Sequence, residues 1–385
     1  MTLRVALLTY STKPRGGVVH TLSLAEALAR LGIDVTVWSL ARANDSGFFR
    51  TVDPAVKVRL VEFIDYPGDT VTDRVVRSIE LLSKAFRPGD YDIVHAQDCI
   101  SANAVGDCIR TIHHLDEFTT AVLAACHEQA ITKPYARICV STAVADEVAS
   151  KWGFSPTVIP NGVHAQRFID AAADDAVATA ARAQWRDRLG RYLLTVGGIE
   201  PRKGTIDLVD AYHLVRQGVP DLALVIAGGE TLFDYREYRA AFERRCAELD
   251  VEPIILGAVD DRHLPSLVAG CDAFCFPSTK EGFGLAALEA LAAGRPVVAR
   301  DLPVLREVFR TTITYAHDAI GMAAGLTTAI QGCYAPTPGR RLAQTMTWAV
   351  AAQAHIDFYR DHPNPLRQKS SRHQDGVRRS ARASF

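Results

Sequence analysis

The chain alternates short, continuously apolar runs with stretches in which apolar residues recur at helical spacing. Arg4–Thr9, Asp34–Trp38, Ile93–Gln97, Cys108–His113, Arg137–Ser141 and Thr157–Ile159 are runs of the first kind, and Val18–Arg30 is a stretch of the second. Strands that are apolar on both faces, with helices between them, predict a parallel sheet covered on both sides. Pro160-Asn161-Gly162 then marks a turn. After an alanine-rich helical connector at Asp174–Leu189 the rhythm restarts. Tyr192–Val196, Leu222–Ile226, Pro253–Leu256, Ala273–Phe276 and Pro296–Val298 are expected strands. Thr205–Arg216, Tyr235–Leu249, Arg262–Ala269 and Leu285–Ala293 are expected helices, and a last helical stretch covers Gly339–Tyr359. The expected fold class is α/β, with two Rossmann-like domains. Each would offer a ligand the strand ends where its sheet changes direction. Gly47–Thr72 carries no readable code.

Composition sharpens this picture in a few places. At 385 residues with 48% apolar side chains, the chain can bury two cores. A net charge of −1 gives no global field for nucleic acid. The exception is Arg367–Phe385, where six Lys or Arg face one acid, Asp375. So few apolar residues predict a disordered tail, able to touch an anionic membrane weakly or nothing specific. The eight cysteines lack paired spacing, and Cys271 and Cys275 read as core packing. No leader peptide is expected from the opening residues, and no apolar run reaches the ~18 residues a spanning helix needs. The expected location is therefore cytoplasmic, which makes the Asn44–Ser46 sequon a glycosylation site in name only.

The chemistry concentrates in four segments. Glu281 and Glu289 bracket a turn containing Gly282 and Gly284 and the expected start of a helix at Leu285. Amides of Phe283, Gly284 and Leu285 can point at an incoming oxygen there, beside the positive end of the helix. Gly197–Gly204 ends in Arg202, Lys203 and Gly204, two cations in a turn that opens a helix, which suits a diphosphate. Gly16 and Gly17 follow the first strand and let backbone amides approach a phosphate or sugar, without the G-x-G-x-x-G spacing of a nicotinamide site. His113 and His114 end a strand and point to opposite faces, so either can face a ligand, and Asp116 can orient a ring nitrogen. His95 reads as a buried histidine. Asp90-Tyr91-Asp92 is formally a D-x-D but reads as a turn leading into a strand, and no His/Cys cluster has zinc spacing.

Taken together, the E-x7-E of Glu281–Glu289, the Arg202-Lys203-Gly204 turn, the first-loop Gly16-Gly17, His113 and Pro160–Val163 resemble retaining glycosyltransferases of family 4. The resemblance covers Leu3 to Tyr359. It implies the GT-B fold, two Rossmann-like domains facing across a cleft, with a final helix crossing back to the first. The implied divisions are residues 1–165 (acceptor side), 166–345 (nucleotide-sugar side), 346–361 (returning helix) and 362–385 (basic tail).

The implied reaction moves a sugar from a nucleotide-diphosphate sugar to a small-molecule, glycan or lipid acceptor with retention of configuration, as a hexosyltransferase does. His113 and Glu281 would be the catalytic residues, in contact with the donor sugar. Gly16, Gly17, Arg202, Lys203, Phe283, Gly284, Leu285 and Glu289 would bind the donor, with the amides after Glu281 on its sugar and Glu289 on the ribose. No metal and no cofactor is required, since cations and helix amides can hold the phosphates. Where some relatives carry a second histidine this chain has Gln97, which alters any acceptor contact of that kind. Competing expectations are a GT-B epimerase or phosphorylase, and a nucleotide-sugar-binding protein without turnover. Donor base, sugar and acceptor are not encoded legibly.

Overall fold

The computed structural model describes residues 2–42, 45–118, 120–229, 235–332 and 334–365. The basic tail beyond 365, and Asn44 of the sequon, lie outside the described residues. In chain order the first half runs β1 (Arg4–Leu8), α1 (Gly16–Arg30), β2 (Asp34–Arg42), β3 (Lys57–Phe63), α2 (Val71–Ala85), β4 (Ile93–Ala96), α3 (Cys99–Val105), β5 (Ile109–Ile112), α4 (Ala121–Thr132), β6 (Ala136–Cys139), α5 (Thr142–Trp152) and β7 (Thr157–Val158). These strands form one parallel sheet in the order β3-β2-β1-β4-β5-β6-β7. Val5, Ala6, Leu7 and Leu8 have no exposed surface, because helices cover both faces of the central strand.

The second half runs α6 (Ala165–Ala171), α7 (Ala176–Leu189), β8 (Arg191–Val196), α8 (Thr205–Arg216), β9 (Leu222–Ala227), α9 (Arg236–Glu248), β10 (Ile254–Gly257), α10 (Leu264–Gly270), β11 (Ala273–Phe276), α11 (Leu285–Ala292), β12 (Val297–Arg300), α12 (Pro303–Phe309), β13 (Thr314–Ala316), α13 (Ala319–Gln331), α14 (Thr337–Thr345) and α15 (Trp348–Asp361). Its sheet is again parallel, in the order β10-β9-β8-β11-β12-β13. The chain divides into two units. The first comprises Met1–Val140, Ala145–Ile159 and the chain from Ala349; the second comprises Ser141–Val144 and Pro160–Trp348. Both are doubly wound α/β sheets, the architecture expected from the apolar rhythm.

Three features differ from the sequence expectation. Lys57–Phe63, inside the segment read as patternless, is edge strand β3, whose alternating exposed and half-buried residues hide a strand from an apolar-run search. β13, only three residues long, is a strand where none was expected. The final helical stretch is two helices broken at Met346-Thr347. That break is held by the Pro160–Gly162 turn: a Cβ on Gly162 would lie 2.3 Å from the Trp348 nitrogen, and Val163 N–H donates to the Met346 carbonyl at 2.8 Å. α15 then buries Trp348, Ala351, Ala352, His355 and Tyr359, one stripe at helical spacing.

Candidate active site

In the second sheet, strand order reverses between β8 and β11, the place where a doubly wound sheet opens a crevice at its C-terminal edge. The loops after these two strands carry the cations and Glu281. After β8, Gly197 is pressed so closely by the next loop that a Cβ on Gly228 would sit 2.2 Å from the Gly197 carbonyl carbon. Pro201–Lys203 forms a single 3-10 turn, and Gly204 takes the left-handed backbone (φ 61°) that starts α8. A Cβ on Gly204 would lie 2.3 Å from the Pro277 carbonyl oxygen, so the cation turn rests directly on the loop after β11. Thr279 N–H stitches the same two loops by donating to the Arg202 carbonyl at 2.9 Å.

This packing brings Arg202, Lys203 and Glu281 together. Lys203 Nζ donates to Glu281 Oε1 at 2.5 Å, and Arg202 Nη1 to the same oxygen at 3.3 Å. Arg202 Nη2 also donates to Glu200 at 3.3 Å, and Lys203 Nζ lies 5.4 Å from the Phe276 ring centre. Burial alone would raise the Glu281 carboxyl; the charges of Lys203 and then Arg202 outweigh it and hold the group down at about 2.

Glu289 sits in the opposite condition. It lies on α11, where Gly284 starts the helix in a left-handed conformation (φ 98°) without any side-chain cap, leaving the first amides to an external acceptor. Phe283 beside it is 3% exposed. Gly282, by contrast, is not among the residues with positive φ. No hydrogen bond or ion pair reaches the Glu289 carboxyl among the described residues. Although part of its surface is open, enclosure by protein pushes it up to about 8, against the pull of Arg167 and with the push of Asp261. Those two pair with each other, Arg167 Nη2 to Asp261 Oδ2 at 2.8 Å.

In the first unit, Gly16 and Gly17 are the opening residues of α1 and have ordinary helical φ. Their value is space rather than conformational freedom: a Cβ on Gly17 would lie 3.6 Å from the His113 ring, while Gly16 faces nothing within 4 Å. His113 packs edge-on to His20 at 4.7 Å between centroids, and its Nε2 is buried with no partner among the described residues. Burial, then the charges of His20 and Arg110, keep it neutral by pulling it well below 6.5. It is His114, not His113, whose Nε2 meets Asp116, at 3.2 Å. His95 is fully buried between Thr111 Oγ1 (2.7 Å) and the Tyr359 hydroxyl (2.8 Å).

Asp90 closes a single 3-10 turn, and Asp92 accepts from Arg4 N–H at 2.9 Å, so this D-x-D leads into β4. Cys271 and Cys275 are free and have no exposed surface. Among the described residues no group of three His, Cys, Asp or Glu has metal-binding geometry, and no helix is long and apolar enough to cross a membrane. Sequence reasoning missed Glu200, Gly228 and the Arg167–Asp261 pair. Glu200 stands in the cation segment itself; the pair had no local signal, being 94 residues apart.

Residues 14–167 match the model "Glycosyltransferase Family 4" and residues 181–323 match "Glycosyl transferases group 1". A phosphatidyl-myo-inositol mannosyltransferase of Mycobacterium tuberculosis (strain ATCC 25618 / H37Rv) is 32% identical over 320 residues, 78% of each chain. Among solved structures, sucrose-phosphate synthase from Thermosynechococcus elongatus superposes with a TM-score of 0.75 at 19% identity, covering 93% of this chain and 98% of that one. Anabaena Alr3699/HepE in complex with UDP-glucose gives 0.70 at 18% identity, covering 93% and 100%. The chain has the GT-B architecture of two parallel-sheet Rossmann-like halves. It belongs to glycosyltransferase family 4.

Proposed function

We propose that the chain transfers a sugar from a nucleotide-diphosphate sugar to an acceptor hydroxyl with retention of configuration, as a hexosyltransferase, and needs no metal to do so. The observation that supports this most is the Arg202–Lys203–Glu281 network beside the uncapped start of α11 and the unpartnered Glu289. Arg202 and Lys203 take the diphosphate, whose negative charge grows as the anomeric C–O bond breaks and the electron pair moves to phosphate oxygen. Stabilising that growing charge with prepositioned cations and amides is the largest catalytic contribution. Charge already held by two cations and a helix start leaves no step that depends on a divalent ion. The acceptor oxygen bonds to the anomeric carbon on the face the phosphate leaves, and its proton passes to the departing phosphate oxygen.

Glu281 accepts from hydroxyls of the donor sugar, the amides of Phe283, Gly284 and Leu285 donate to sugar or phosphate oxygens, and Glu289 accepts from the ribose hydroxyls. His113, neutral and with a free Nε2, takes a sugar hydroxyl, and Gly16 and Gly17 leave room beside it. The Mycobacterium relative is named for phosphatidyl-myo-inositol, so an inositol-bearing lipid is the first acceptor to test, with UDP-, GDP- and ADP-sugars as donors. The expected result is nucleoside diphosphate release that requires the acceptor and a product with the donor's anomeric configuration. Conversion of a donor without any acceptor, or full turnover by Lys203→Met, would overturn the reading.

A further inference from the structure

Arg300 is the last residue of β12, at the C-terminal edge of the second sheet, and its side chain is 14% exposed. Its guanidinium donates in three directions: Nε to the Pro277 carbonyl at 3.1 Å, Nη1 to the His317 carbonyl at 2.9 Å, and Nη2 to the Asp207 carboxylate in the first turn of α8. Pro277 and His317 follow the strands on either side of β12, so one side chain fastens both neighbours and a helix. The Pro277 carbonyl is also the surface on which the cation turn rests, and the site of a Cβ on Gly204 is 3.6 Å from Arg300 Nη2.

We propose that Arg300 is a positioning residue: by holding Pro277 and Asp207 it sets the spacing between the Arg202-Lys203 turn and the Glu281 loop, and thereby their grip on a diphosphate. This rests on the preceding assignment of Arg202 and Lys203 to that group. Three acceptors in divergent directions fit a planar fork and not an ammonium, so lysine at this position keeps the charge but loses the arrangement.

The test compares wild type, Arg300→Lys, Lys203→Met and the double variant, with dissociation constants for inorganic pyrophosphate and UDP and melting temperatures for each. Arg300→Lys is expected to weaken both ligands by roughly fivefold, and the double variant to bind no more weakly than Lys203→Met alone, because residues acting through one another are not additive. The melting-temperature losses, by contrast, should add. An Arg300→Lys protein that binds as wild type does, or affinity losses that multiply, overturns the proposal.

Should Arg300→Lys not fold, Asp207→Asn removes the partner whose side chain is 41% exposed, and lowered affinity is again expected. Unchanged affinity there overturns the proposal as well. A wild type that binds pyrophosphate through Lys203 yet transfers no sugar sinks the functional reading alone. Normal transfer with unaltered Arg300→Lys binding sinks this inference alone, and a wild type that binds neither ligand sinks both.

Discussion

Glu281 and Glu289 belong to one short motif, yet their carboxyls stand on opposite sides of neutrality. Glu281 is held at about 2 against an ordinary 4.5, so it contributes stability above pH 4.5 that is lost as pH falls through about 2. Its side chain is 10% exposed, so solvent screens it little. Glu281→Gln should therefore cost up to about 3 kcal/mol at pH 7 and much less at pH 2, measured by urea unfolding at both. Equal losses at the two pH values would contradict the ion-pair account.

Glu289 carries the reverse sign. With its folded value raised to about 8, the folded state is favoured below pH 4.5 and loses that advantage as pH climbs to 8. Glu289→Gln should melt higher than wild type at pH 8. If the ionised carboxyl accepts ribose hydroxyls, UDP affinity in wild type rises from pH 7 to 9. The glutamine variant should bind more weakly and show no such rise by calorimetry.

Elements place these groups by how closely their turns approach. Gly204→Ala forces a side chain into left-handed backbone and against the Pro277 carbonyl, and should cost about 1–3 kcal/mol together with weaker diphosphate binding. Gly16→Ala meets nothing within 4 Å and should be close to neutral in stability, which a melting comparison of the two variants checks directly.

The same contrast explains what the sequence made legible. β11 and α11 stood out because Phe276-Pro277 and Leu285 end and begin elements by strong local rules, and the structure starts α11 at Leu285 as expected. β3 did not stand out, since an edge strand needs only one covered face and Lys57, Arg59 and Glu62 interrupt its apolar residues. Three-residue β13 is too short to show a period. Arg300 was invisible for another reason: its three acceptors come from segments 93, 23 and 17 residues away, and no local pattern encodes such a meeting.

At the scale of the molecule, the first unit is closed by the last described helix. His355 and Tyr359 on α15 join His95 on β4 and His20 on α1 in a buried cluster with ring centroids 5.7–6.1 Å apart. The groups facing His95 are the Tyr359 hydroxyl, which stays neutral, and His355, His20 and Arg110, so each proton added meets further positive charge. Burial pulls His95 well below 6.5 and His355 down to about 4, so the cluster's contribution is whole above pH 6.5 and drains away as pH falls toward 4. The melting temperature should drop steeply over that interval, and His355→Leu should lessen the drop. An identical slope in the variant would remove His355 from the account.

The place of α15 in the chain also has a bearing on how the protein is made. A ribosome releases β1, β4 and α1 early, but the tyrosine that satisfies His95 emerges more than 260 residues later. The second unit, by contrast, draws almost all of its residues from one uninterrupted stretch and has everything it needs once Trp348 has left the exit tunnel. The half that is translated first is thus the half that is finished last, waiting through most of synthesis with its histidines uncovered.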